Sequence, residues 1–176
     1  MSFARLISSK PLDSQPTKAS SPILDVVIHP LPYTESTPER VTYPRGAIAV
    51  TVRLPNGESL RFVSTHFQHN VPEDRLAEAR AINAIFVADD EMPTILAGDM
   101  NAAPDSAPIQ ELLKHWSNAA DRELSPTAPS GKPSSRIDYI FYRPTSMFHL
   151  EHAEVIDESI ASDHRPVMAV FKISAR

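Results

Sequence analysis

Between Ala47 and His66, apolar residues alternate with smaller or polar ones on either side of Pro55-Asn56-Gly57. That pattern admits little but a β-hairpin. Ile48, Val50, Val52 and Leu54 share the period of one strand, and Leu60, Phe62 and Ser64 that of a returning strand ending at Thr65-His66. The hairpin fixes a scale of short strands, and the rest of the chain is read against it.

Upstream, Ile23–Ile28 is an apolar run closed by His29-Pro30 and Pro32, as expected of a strand bounded by prolines. Residues 10–21 and 33–46 read as loops. Downstream, Asn70-Val71-Pro72-Glu73 opens a helix, with Asn70 as the expected cap and Glu73 in the capping-box position. Leu76, Ala79, Ile82, Ile85 and Phe86 follow at helical spacing. Pro93–Ala97 is a short buried strand ending in Gly98-Asp99. A second helix over Pro108–Trp116 is expected to bury Ile109, Leu112, Leu113 and Trp116. Residues 121–135 form a polar loop. Arg136–Tyr142 reads as a strand with Ile137, Tyr139 and Phe141 on one face and Asp138 on the other. Residues 148–157 read as a further strand, and Pro166–Ile173 as the last one, with Val167, Ala169, Phe171 and Ile173 in phase. Strands interleaved with two helices predict sheets covered by helices, in one domain spanning residues 1–176.

Composition narrows the function. The net charge of −5 argues against a strong non-specific grip on nucleic acid, which needs a basic footprint. It leaves room for a small phosphorylated substrate, because a metal ion can supply positive charge locally. The absence of cysteine excludes disulfides, zinc–thiolate centres and thiol catalysis. No run approaches the length of a membrane span. The opening MSFARLISSKP lacks the features of a signal peptide, which slightly favours the cytoplasm. Prolines number 17 against 4 glycines, so many connections are expected to be rigid.

Acids and histidines recur where strands end, which is where a scaffold presents reactive groups to loops. His66 closes the hairpin. Asp99 and Asn101 follow the buried strand, spaced so that both can enter one cleft; the alternative is an Asx-turn that ends the strand. A carboxylate there can align or deprotonate water, and an amide can donate to a phosphate oxygen. Asp138, inside an apolar strand, is either a surface acid or a group that orients a histidine. Ser162-Asp163-His164-Arg165-Pro166 is either a polar loop or a site turn, in which Asp163 suits a hard cation and His164 a phosphate oxygen. His66 and His69 alone are too few for zinc. Asp25 reads as a loop-facing or paired acid.

The order of Thr65-His66-Phe67, Gly98-Asp99-Met100-Asn101, Arg136-Ile137-Asp138-Tyr139-Ile140-Phe141 and Ser162-Asp163-His164-Arg165-Pro166-Val167 resembles the endonuclease/exonuclease/phosphatase superfamily. The resemblance covers residues 44–173, and more weakly Ile7-Ser8-Ser9-Lys10-Pro11. It implies an α+β, four-layer sandwich of two mixed β-sheets flanked by helices, with the site at one edge. It implies a phosphoester hydrolase of phosphodiesterase, nuclease or phosphatase type, assisted by Mg²⁺ or Mn²⁺. In that scheme Asp99 aligns or activates the attacking water, and also serves the metal with Asp163. Asn101 hydrogen-bonds the phosphate. His164, oriented by Asp138, stabilises charge on it, and His66 contacts the phosphate or the leaving oxygen.

The family also carries an asparagine on its first strand and a metal-binding glutamate soon after. Residues 1–45 hold neither pattern, since Glu35 and Glu39 lie in a Thr/Pro-rich stretch. The expectation is therefore an N-terminally incomplete domain, with low metal affinity and low turnover on its own. Open sheet edges would invite self-association or a partner chain. An incomplete family member acting as a binding or assembly module is the competing reading. A histidine-based metal store is a third, resting only on scattered histidines.

Overall fold

The computed structural model describes residues 2–7, 21–88 and 91–174. The loop read over residues 10–21 falls outside these except for Ser21, and so does Ser8–Pro11.

Among the described residues, nine strands and two α-helices follow one another as β1 (Ser2–Ile7), β2 (Ile23–Leu31), β3 (Arg45–Arg53), β4 (Ser59–His66), α1 (Pro72–Phe86), β5 (Thr94–Asp99), α2 (Ala107–Leu113), β6 (Ser117–Asn118), β7 (Asp138–Arg143), β8 (Phe148–Val155) and β9 (Val167–Ile173). A six-stranded sheet has the order β2-β3-β4-β5-β7-β6, and a three-stranded sheet the order β1-β9-β8. Both are mixed: β4 runs parallel to β5, and β1 parallel to β9, while their other neighbours are antiparallel. The fold is the expected α+β arrangement of two mixed sheets with helices.

Each face of the large sheet has its own core. On one side Ala47, Ala49, Val63, Leu96, Tyr139 and Phe141 pack against Ala79, Ile82 and Phe86 of α1, Ile109 and Leu112 of α2, and Trp116. The small residues of β3 point here, so the helices can approach closely. On the other side Leu60, Ile95 and Ile140 meet Phe148, Val167, Ala169 and Phe171 of the small sheet. Both helices therefore lie on the outer face of the large sheet. Among the described residues no helix covers the outer face of the small one.

Four local expectations are corrected. β2 continues through Pro30 to Leu31, because among the described residues β2 is an edge strand, where the missing N–H of proline is tolerated. Asn70 does not cap α1: Val71 occupies that position without a side-chain bond, and the Asn70 amide donates to the Val41 carbonyl at 2.6 Å. Proline at the first helical position removes one orphan N–H and lessens the need for a cap. α2 ends at Leu113, whose side chain is exposed. Trp116 is buried beyond the helix, its indole donating to Asn83 at 3.0 Å.

Gly98 marks a close approach of β4 and β5. A Cβ there would stand 1.9 Å from the Thr65 carbonyl oxygen, inside any permitted contact and against backbone. Gly98→Ala must force β4 and β5 apart. The expected loss is about 3 kcal/mol or more, as for severe overpacking. It should appear as a lowered midpoint in urea unfolding with an unchanged slope. An unshifted midpoint would show that the two strands separate without penalty.

Candidate active site

Register across three strands builds the site. His66 is the partner of Asp99 across β4 and β5, and Asp99 the partner of Asp138 across β5 and β7. Partnered residues point to the same side of a sheet. The three therefore form a row on the face that packs against the small sheet, at the end of the Leu60–Ile95–Ile140 core. Apolar packing rigidifies the strands up to the point where the polar groups begin.

His164 reaches this row from the turn before β9. Its Nδ1 lies 3.0 Å from Asp138 Oδ2 and 3.8 Å from Asp99 Oδ2. Because an ionised carboxylate can only accept, the Nδ1–H donates to Asp138, which leaves Nε2 free. Asp138 is nearly sealed from solvent. The His66 Nε2 lies 3.5 Å from Asp99 Oδ2, and the Asn101 backbone N–H donates to Asp99 Oδ1 at 2.8 Å.

The turn carrying His164 is held by a loop with no evident signal in the sequence. Ser130 N–H donates to the Asp163 carbonyl at 2.6 Å, and Arg165 N–H to the Thr127 carbonyl at 2.7 Å. The Arg165 side chain returns a bond to the Ser130 carbonyl at 2.7 Å. Thr127, fully buried, accepts from Ile137 N–H at 3.2 Å and Asp138 N–H at 3.3 Å. Thr127 and Ser130 thus tie the two halves of the Asp138–His164 pair together. Within a run rich in serine, threonine and proline, nothing marks them out.

His66, Asp99, Asp138, Asp163 and His164 all line one cleft of about 730 Å³. The same sheet face adds an apolar lining from Ile48, Val50 and Phe62. Asn101 is placed differently. It sits at φ 46°, in the left-handed region, and its side-chain amide donates to the Phe67 carbonyl at 3.0 Å. It braces the β4–α1 connection from behind Asp99 and does not line the cleft. His69 is also outside the cleft. Asp25 lines a separate hollow shared with Arg61 and Phe86.

The electrostatics follow from crowding. Burial raises the proton affinity of Asp99 and the charge of Asp138 adds to it, while the Asn101 N–H and the two histidines pull it back. Burial lowers that of His66; Arg45 lowers it further, and Asp99 opposes. Asp99, Asp138 and His164 offer one ligand atom each, all within 4.8 Å of one another. Two acids packed together with too little positive charge fit a divalent cation, which would relieve the repulsion that raises Asp99. Hard cations prefer oxygen, so the Asp99 carboxylate is the best-suited donor of this group; the exposed Asp163 lines the same cleft but lies outside the group. The Asp138 oxygen facing His164 is already committed.

The sequence matches the Endonuclease/Exonuclease/phosphatase family over residues 6–164. No curated protein sequence matches. Among solved structures, a functionally unknown conserved protein from Enterococcus faecalis V583 is similar, with a TM-score of 0.73 and 21% identity, over 90% of this chain and 69% of that one. A mannosyl-6-phosphatase of Bacteroides thetaiotaomicron VPI-5482 is similar with a TM-score of 0.67 and 20% identity, over 83% and 65%. The human Nocturnin catalytic domain, solved with a bound sulfate anion, follows with a TM-score of 0.59 and 18% identity, over 87% and 60%. The chain spans less than two thirds of the length of the last two. At these identities the likeness is one of fold.

Proposed function

The chain belongs to the Endonuclease/Exonuclease/phosphatase family, and from that premise we propose that it is, or is part of, a divalent-metal-dependent phosphoester hydrolase acting at the Asp99–His164 cleft. The observation that carries the reading is the register-built row His66–Asp99–Asp138, closed by His164 at 3.0 Å from Asp138.

Hydrolysis of a phosphoester needs an aligned water, neutralised charge on the phosphate and a protonated leaving oxygen. A bound Mg²⁺ or Mn²⁺ would supply charge neutralisation, held by Asp99 and Asp163. Asp99 has a raised proton affinity and is poised to align the water and accept its proton. Asp138 fixes the His164 ring with Nε2 facing outward, where a proton on it would be donated to a phosphate oxygen. His66, half exposed beside Asp99, can pass a proton toward the leaving oxygen. Asn101, bonded to the Phe67 carbonyl, serves here by holding the backbone around Asp99 and His66. Hydrolysis of a generic phosphodiester with and without Mg²⁺ or Mn²⁺ tests the reading.

One observation favours the second reading, a family member that binds or assembles without turning over. Among the described residues β2 is an open edge of the large sheet, and it carries exposed apolar side chains, with Ile28 70% and Val26 54% accessible. Ile28 pairs with Ile48, itself 46% accessible, so the apolar strip runs inward toward the cleft. Unpaired edges with apolar faces recruit further strands or chains. Sedimentation velocity should show concentration-dependent association of the 176-residue chain, weakened by Ile28→Lys. A monomer at every concentration would dismiss the assembly reading.

A further inference from the structure

We propose that Glu78 is a positioning residue: a buried carboxyl on α1 that holds the backbone immediately after His66 and thereby sets His66 at the cleft and the Asn101 brace behind it. Glu78 has no accessible surface. Its Oε2 accepts the Gln68 N–H at 2.9 Å, and its Oε1 has no hydrogen-bond partner. A glutamate is seldom buried with half of its carboxyl unpaired, because that forfeits hydration without replacement.

What it holds is the short connection between β4 and α1. Phe67 N–H donates to the Asp99 carbonyl at 2.9 Å, and the Phe67 carbonyl receives the Asn101 amide at 3.0 Å. Gln68 comes next and bears the Glu78 bond. Arg75 Nη1, one turn earlier on the helix, donates to the Gln68 carbonyl at 3.1 Å and the His69 carbonyl at 2.7 Å. The Gln68 side chain completes the clamp by donating to the Tyr43 carbonyl at 3.1 Å. α1 therefore grips this connection at both a donor and an acceptor, and the grip lies two residues from His66.

The groups that face Glu78 are Asp74 and Arg75 from its own helix and Arg45 from β3. Burial pushes its carboxyl up to about 7, and Asp74 adds to this, while the Gln68 N–H, Arg45 and Arg75 pull it down. Its charge thus changes near neutrality, and an ionised acceptor makes the stronger bond to an N–H. The clamp on Gln68 should be tighter above that point than below it.

The inference rests on the proposed hydrolytic reading for its significance, since His66 is a site residue of that reading. Its test does not require turnover. The backbone amide of Gln68, the side-chain amide of Asn101 and the ring of His66 are followed by NMR through a pH titration of the whole chain. In the wild type all three should move with a shared midpoint near 7. In Glu78→Gln, which keeps an acceptor oxygen but no titrating proton, that shared transition should vanish and only the transitions of His66 and Asp99 remain. If Gln68 moves with Glu78 while Asn101 and His66 do not follow, Glu78 is merely structural and the proposal fails. Persistence of the shared transition in Glu78→Gln overturns it equally. Absent turnover with the shared transition intact would instead count against the hydrolytic reading alone.

Discussion

Asp99→Ala is expected to lower metal-dependent phosphodiester turnover by roughly 10²–10⁴-fold, the effect of losing a positioned acid–base group. The fold should survive the change. The proton affinity of Asp99 is raised in the folded protein by burial and by Asp138, so its ionised form is disfavoured there. An acid with a raised folded-state value binds protons more tightly folded than unfolded. Stability then falls as pH rises from the ordinary carboxylate range through the raised value. Above that window the ionised group opposes folding. Asp99→Asn, assayed beside the alanine variant, should be as stable as wild type at acid pH and more stable at neutral pH. Lost activity with retained or improved stability is the signature of a group kept for function. Near-full turnover by a folded Asp99→Ala protein would remove Asp99 from the mechanism.

His164→Ala should cause a loss of similar size, and Asp138→Asn a smaller one of roughly 10–100-fold, typical of a group acting through its neighbour. The reason is the 3.0 Å contact between His164 Nδ1 and Asp138 Oδ2. An asparagine carries no charge and can present an N–H where the carboxylate accepted, so it no longer secures a proton on Nδ1 or fixes the charge and orientation of the ring. Because Asp138 works through His164, the double variant should be no worse than His164→Ala alone. Multiplied losses in the double variant would mean that Asp138 acts on something other than His164.

The gathering of His66, Asp99, Asp138, Asp163 and His164 in one candidate cleft was largely legible in the sequence, because these residues lie at or next to strand ends and strand ends are readable. The period of two in Ala47–Leu54 and Arg136–Tyr142, with a buried run before Gly98, located the strands. Register then forced His66, Asp99 and Asp138 into one row. The Asn101 amide was less legible. Its spacing from Asp99 suggested the cleft, but a left-handed backbone turns it toward the Phe67 carbonyl. The clamp formed by Thr127 and Ser130 was illegible, since its bonds reach residues 10 (Thr127 to Ile137) to 38 (Thr127 to Arg165) positions away. Edge position was hidden as well: Pro30 reads as a breaker until β2 is seen at the end of the strand order among the described residues. The parallel pairing of β1 with β9 joins the two ends of the described chain, which no local pattern could announce.

The most direct measurement is the initial rate of hydrolysis of bis(4-nitrophenyl) phosphate by the wild-type chain, first with Mg²⁺ or Mn²⁺ and then with excess chelator. Turnover that appears with the metal, disappears on chelation and returns on readdition is the predicted result. A rate that is indifferent to metal, or no turnover at any metal concentration by a folded protein, would contradict the assignment of this cleft as a metal-assisted phosphoester hydrolase.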